Sequence, residues 1–310
     1  MKKDKIILQC AMGILVGLIL KVNAQTPVQD FSKNPRVYTK RYSFWFEGNF
    51  NGTIKKNDSG EVKLQYQIDF QYRRMSDASY IKNGEYYNIF KDPFQQVIRP
   101  WLHYWVNKKV RLSLSPLGHW ATWSPTSEGP HIYNPEYRTS LQLTTFETIG
   151  KFNIQQRYRF EFRWIGTGIS AQNYLSDVFS STDIPSTNFK ERLRYCVRVN
   201  YNFNKTTYLS LWNELFIGLG KNTANNKILD QNRVVGLFGK KYSQQKYPIK
   251  LELGFTWQLV PKYNFNVPPT QDPSYGSFQK NNWESNLALQ IYLIFDEFHK
   301  FKNLRHSNAM

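Results

Sequence analysis

Residues 151–164, KFNIQQRYRFEFRW, carry Phe152, Ile154, Tyr158, Phe160, Phe162 and Trp164 at even positions and Lys151, Asn153, Gln155, Arg157, Arg159, Glu161 and Arg163 at odd ones. Successive side chains of a β-strand point to opposite faces, so this period of two predicts a strand that is apolar on one side and charged on the other. The pattern recurs at 189–203, with Leu193, Tyr195, Val197, Val199, Tyr201 and Phe203 set against Arg192, Arg194, Arg198, Asn200 and Asn202. It recurs at 62–73, VKLQYQIDFQYR, without exception. Strands of soluble sandwiches average about 5 to 6 residues, and these runs hold phase for twice that. A tilted strand of about 9 to 11 residues crosses a bilayer, its apolar face toward lipid and its polar face toward the lumen of a closed barrel.

Carried along the chain, the pattern predicts strands near 42–50, 62–73, 94–106, 110–123, 136–148, 151–164, 189–203, 207–218, 229–241, 249–260 and 283–295. Short turns at 107–109, 149–150, 204–206 and 243–248 alternate with long connections at 75–93, 125–135, 166–188, 219–228 and 261–282. That is the sidedness of an outer-membrane barrel, whose strand number is usually even. Since the last strand ends on the short-turn side and the first begins on the long-loop side, a further crossing is expected from 25–37. The expected fold is therefore all-β, an antiparallel up-and-down transmembrane barrel of about 12 strands, within a range of about 10 to 12. Pro100 and Pro116 fall inside strands and each removes a ladder donor, which is tolerated at rims and bulges.

The N-terminus reads MKKDK, then IILQCAMGILVGLIL, then KVNAQ. These are the three regions of a secretory signal over residues 1–24, with cleavage expected between Ala24 and Gln25. The apolar run is shorter than a spanning helix requires, and Cys10 sits within it rather than at its end, where a lipoprotein cysteine would be. The expected organisation is signal peptide 1–24, N-terminal segment or first strand 25–37, barrel 38–295 and polar tail 296–310. Only Cys196 remains after cleavage, so no intramolecular disulfide forms. The 22 Phe, 20 Tyr and 9 Trp suit the aromatic girdles of an outer-membrane barrel, and that membrane of a Gram-negative envelope is the expected location.

Net charge is +18, and the expected signal carries four lysines and one aspartate, which leaves +15 on the mature chain. Its cations alternate with apolar residues along strands and accompany no nucleic-acid motif, so nucleic acid is not an expected partner. Outer-membrane lipids and a small anionic solute are. Arg157, Arg159, Arg163, Arg192, Arg194 and Arg198 are the candidate anion-binding residues of the lumen, because guanidinium groups grip carboxylates and phosphates through paired contacts. Turn geometry then gives a register. Centring a turn on Lys205 sets Glu214 across from Cys196 with Arg194 and Arg198 on its diagonals. A two-residue loop at Ile149 and Gly150 sets Arg138 across from Glu161 and Gln142 across from Arg157. Glu214, Arg138 and Glu161 are the expected lumenal ion-pair residues.

A lipid-modifying enzyme is an alternative of another class. The turn at Lys108 sets His103 across from Ser113 and His119 across from Val97, both histidines inward and roughly 20 Å apart at about 3.3 Å per residue. That spacing rules out a shared metal site, and the Ser–His pair has no recognisable third member. No HExxH, GxSxG, phosphate loop or CxxC occurs, and no cofactor or metal is expected. A secreted carbohydrate-binding β protein is the third reading, and it requires a second sheet over the apolar faces.

The segments WNELF (212–216) and DQNRVVG (230–236), with Trp45, QQRYRFEFR (155–163) and RLRYCVRVNY (192–201), resemble the DUF2490 family of uncharacterised bacterial proteins. The likeness spans most of the chain after the signal. It implies an outer-membrane-type β-barrel and supplies no catalytic residues. The expected function is thus a monomeric barrel acting as a narrow channel or binding barrel for small anionic solutes.

Overall fold

The computed structural model describes residues 38–77, 84–124, 132–166, 169–170, 187–219, 228–242, 248–261 and 283–298. The signal, the 25–37 segment, most of the polar tail and much of the long connections lie outside these residues.

The alternating runs form strands β1 (Tyr38–Lys56), β2 (Val62–Met75), β3 (Asp92–Asn107), β4 (Val110–Ser124), β5 (Ile132–Ile149) and β6 (Phe152–Gly166). A two-residue strand, β7 (Ile169–Ser170), pairs only with the start of β5. Then follow β8 (Thr187–Asn202), β9 (Thr207–Leu219), β10 (Leu229–Tyr242), β11 (Ile249–Pro261) and β12 (Trp283–Phe295). Each long strand pairs antiparallel with its sequence neighbour, β6 with β8, and β1 closes onto β12. The result is a closed all-β barrel of eleven long strands among the described residues.

The closing pair is parallel, with Tyr38 opposite Trp283 through to Phe50 opposite Phe295. Parity requires this, because a ring of strands that alternate in direction closes antiparallel only if their number is even. Eleven lies within the expected range, and the wall departs from a purely up-and-down antiparallel one at this single seam. The expected twelfth crossing from 25–37 lies outside the described residues. Its premise was an antiparallel closure, and β1 and β12 pair directly, which leaves no place in the ladder between them.

Inward and outward sides follow sequence parity. Trp45, Asp69, Arg159, Glu161, Arg194 and Glu214 are buried on the inside, whereas Ile98, Phe238 and Phe255 stand outside at 56%, 53% and 58% exposure. No second layer of the described chain covers that outer apolar face, contrary to what the sandwich reading requires. Among the described residues, the tight turns that join β1 to β2, β3 to β4, β5 to β6 and β8 to β9 all lie at one end of the barrel, here the short-turn end.

Two register features differ from expectation. The β5–β6 loop is Gly150 and Lys151, with Ile149 opposite Phe152. Gly150 has φ +58°, a left-handed conformation that glycine adopts without strain. The one-residue shift of the loop moves every pair across β5 and β6 by two. Arg138 therefore faces Arg163, Ser140 faces Glu161, and Gln142 faces Arg159. The second feature is a pair of breaks on either side of β4, one in the β3–β4 ladder between Ile98 and Leu102 and one in the β4–β5 ladder between Ser115 and Gly118, where Pro100 and Pro116 interrupt the bonding. The extra residue reverses parity beyond it. Trp120 turns inward opposite Val97, and His119 faces Ile98 and packs its ring 5.1 Å from Tyr137 on the outer face. The expectation of two inward histidines fails for His119.

Candidate functional site

The lumen encloses a cavity of about 400 Å³. All six arginines singled out from the sequence, Arg157, Arg159, Arg163, Arg192, Arg194 and Arg198, line it, as do Arg138 and Glu214. Glu161 is fully buried within the wall beside them.

Two glutamates organise the centre. Glu161 accepts from Arg192 Nε at 2.8 Å and Nη2 at 2.5 Å on one oxygen, and from Arg194 Nη1 at 2.7 Å on the other. Arg159 Nη1 lies 3.6 Å away and Arg138 Nη1 3.9 Å away. Glu214 faces Cys196 as expected, and its Oε1 accepts from Arg194 Nη2 at 2.7 Å and Arg157 Nη2 at 2.6 Å. Arg198 was expected on Glu214. It reaches instead past Trp212 to Glu252, which also accepts from the Tyr208 hydroxyl at 2.6 Å. The twist of a closed barrel lets a long side chain bypass its diagonal neighbour for a strand two or three places away.

Parity also brings in residues that the sequence reading did not select. Glu136 holds Arg138 Nε at 2.5 Å and Arg163 Nε at 2.6 Å, which separates the two arginines that share a ladder position. Asp230 holds Arg192 at 2.9 Å. Asp69 accepts from Arg99 Nη2 at 2.5 Å and from the Trp101 indole at 2.9 Å. Arg73 shares the inward face of Gln67, Asp69 and Gln71, a face already visible in the 62–73 alternation. Arg99 shares the inward parity of His103 and Arg111 that of Ser113, so both were legible by the same alternation, whereas the start of β10 before Arg233 carries a bulge between Leu229 and Gln231.

Aromatic rings fix the guanidinium planes. Arg138 lies 3.9 Å over Trp120, Arg159 4.7 Å over Trp101, Arg194 4.4 Å over Phe216, and Arg73 4.1 Å over Trp45. Such stacks leave the guanidinium edges free for hydrogen bonds while the faces rest on π-systems. Among the described residues the cavity lining counts eleven arginines against seven carboxylates.

The His103–Ser113 pair is formed, Nδ1 to Oγ at 2.8 Å. Nε2 of the same ring meets Gln67 Oε1 at 3.0 Å, and the Gln67 amide nitrogen donates to Asp69. With Gln67 Oε1 left to accept, the ring hydrogen sits on Nε2, and the serine hydroxyl donates to Nδ1. The third member is thus a neutral amide, and buried Ser113 does not line the cavity. This chain cross-links β2, β3 and β4.

No curated protein and no solved structure matches the chain. A family model described as "Protein of unknown function (DUF2490)" matches residues 42–267, most of the barrel, and the chain belongs to that family.

Proposed function

We propose that this protein is an outer-membrane β-barrel whose lumen binds a small anionic solute. The observation that carries the reading is the unequal lining of the lumen, eleven arginines facing seven carboxylates around a cavity of about 400 Å³. A confined surplus of cations draws anions and disfavours cations. The uncovered apolar outer face, with Ile68, Phe70, Leu102 and Leu141 exposed, supports a lipid surround.

A binding barrel fits better than an open pore. Barrels of about 8 strands are filled by their side chains and those of about 16 leave an aqueous channel, and eleven strands fall between. The stacked arginines extend into the lumen and reduce it to a volume typical of a small-molecule pocket.

Calorimetric titration of the purified protein in detergent, with a panel of small anions and matched small cations, tests this. Saturable binding of anions that weakens as salt is raised is expected. Preference for a cation, or no binding of any anion, would overturn the reading. Cell fractionation checks the location, with the outer-membrane fraction as the expected result.

A further inference from the structure

The side chain of Arg111, near the start of β4, makes no hydrogen bond and no ion pair with any described residue, and its Nε is buried without a partner. Its guanidinium rests 5.2 Å over Trp105 and 5.4 Å over Phe146 and lines the cavity toward the short-turn end. Its ladder position continues through Thr144 on β5 to Arg157 on β6. Neighbouring strands are about 4.8 Å apart, so the two backbones stand about 10 Å apart. Thr144, short and fully buried, lies between them and accepts from Gln142 Nε2 at 3.1 Å.

The next inward position runs from Ser113 through Gln142 to Arg159. Arg159 is 4% exposed and lines the cavity, and Gln142 holds its Nε at 2.8 Å. Its Nη1 has no hydrogen-bond partner. The nearest carboxylate, Glu161 at 3.6 Å, is already held by Arg192 and Arg194. Arg157 has one terminal nitrogen on Glu214 and no partner for its Nε. Three guanidinium groups therefore share this part of the lumen, and two of them lack a hydrogen-bonded carboxylate.

We propose that Arg111, Arg157 and Arg159 form a subsite for a dianionic oxyanion of the phosphate class, either free phosphate or the phosphate of a monoester. This rests on the anion-binding reading of the lumen and gives it a chemical class and a location. Two unmatched cations call for two negative charges. A tetrahedral oxyanion offers acceptors to several guanidinium forks at once, whereas a monocarboxylate offers two oxygens and neutralises half the surplus.

The test is calorimetric titration of the full-length protein in detergent, at neutral pH and low salt, with inorganic phosphate, glycerophosphate and acetate. Wild-type protein is expected to bind phosphate at least about tenfold more tightly than acetate, and Arg111→Gln to lose about tenfold or more in phosphate affinity, as for a lost charge-assisted contact. Arg111→Lys keeps the charge without the fork and is expected to fall between the two. It also serves if the glutamine variant fails to fold. A change in tryptophan fluorescence on phosphate binding that is lost in Trp105→Phe is a second expected signal, since Arg111 lies on that ring. Glycerophosphate binding more tightly than phosphate assigns the site to monoesters, and its exclusion assigns it to the free ion. Acetate binding as tightly as phosphate would overturn the chemical class. Unchanged phosphate binding in Arg111→Gln, with a loss in Arg73→Gln, would overturn the location and leave the anion-binding lumen standing. Absence of binding by every anion would remove both.

Discussion

Arg194 on β8 donates to Glu214 on β9 through Nη2 at 2.7 Å and Nε at 3.0 Å, and its remaining terminal nitrogen holds Glu161 on β6 at 2.7 Å. One side chain thus joins three strands through two buried carboxylates. Each carboxylate also serves arginines from other strands, so the network braces the wall across its middle.

Removing the Glu214 charge leaves Arg194, Arg157 and Arg233 beside an amide, three cations around a neutral group in a buried site. Glu214→Gln is expected to destabilise the barrel by about 3 to 5 kcal/mol, the usual cost of stripping one partner from a buried ion pair. Urea unfolding followed by heat-modified gel mobility measures it. An unchanged midpoint would show that the network does not brace the wall.

Gly150 and Gly254 fail for different reasons when given a side chain. A Cβ at Gly150 meets nothing within 4 Å, so Gly150→Ala carries only the left-handed backbone cost, about 1 to 2 kcal/mol. A Cβ at Gly254 would lie 2.1 Å from the Gly236 carbonyl oxygen on the neighbouring strand and push β10 from β11. Gly254→Ala is expected to lower the unfolding midpoint more than Gly150→Ala does. The reverse order would mean that the β10–β11 approach relaxes freely.

Ile98 faces outward at mid-strand and is 56% exposed. If lipid surrounds the barrel, Ile98→Arg should cost about 2 to 4 kcal/mol on folding into vesicles, as charges on the lipid face of such barrels do near the midplane. In water the same exposed substitution is close to neutral. Reversible folding titrations in lipid vesicles separate the two, and a neutral result there would argue against the membrane.

Between β2 and β3, Asp77 Oδ2 binds Lys91 Nζ at 2.5 Å and accepts from the Glu85 amide at 2.7 Å. Burial raises the Asp77 carboxyl, but the bonds from Lys91 and Glu85 outweigh it and hold the group below its usual range. The Asp77 bond in turn raises Lys91. A lowered carboxyl stabilises above its unfolded value of about 3.9 and loses that contribution as pH falls through the folded value. A raised amine stabilises below about 10.4 and loses it as pH rises further. The protection factor of the Glu85 amide is therefore expected to be flat between these limits, to fall in acid below the lower one and in base above the upper one. A change centred near neutrality would implicate another group.

Strand existence and sidedness were legible because both depend on a local period. Each lumenal arginine picked out by parity lies inside, since a side chain has only two faces to choose from. Parity does not carry across an inserted residue, which is why His119 was misplaced beyond the Pro116 break. A one-residue error in the position of a turn became a two-residue error in pairing, which is why Arg138 meets Arg163 rather than Glu161.

What the sequence determined by itself was the alternation, and with it a barrel that is polar within and apolar without. Tertiary structure decided the strand number, the parallel seam between β1 and β12, and which carboxylate each arginine holds. These depend on ring closure, which joins residues 38–50 to residues 283–295 and lets Arg198 reach Glu252 from β8 to β11. Such distances are set only when the last strand finds the first, and no local window of the chain contains them.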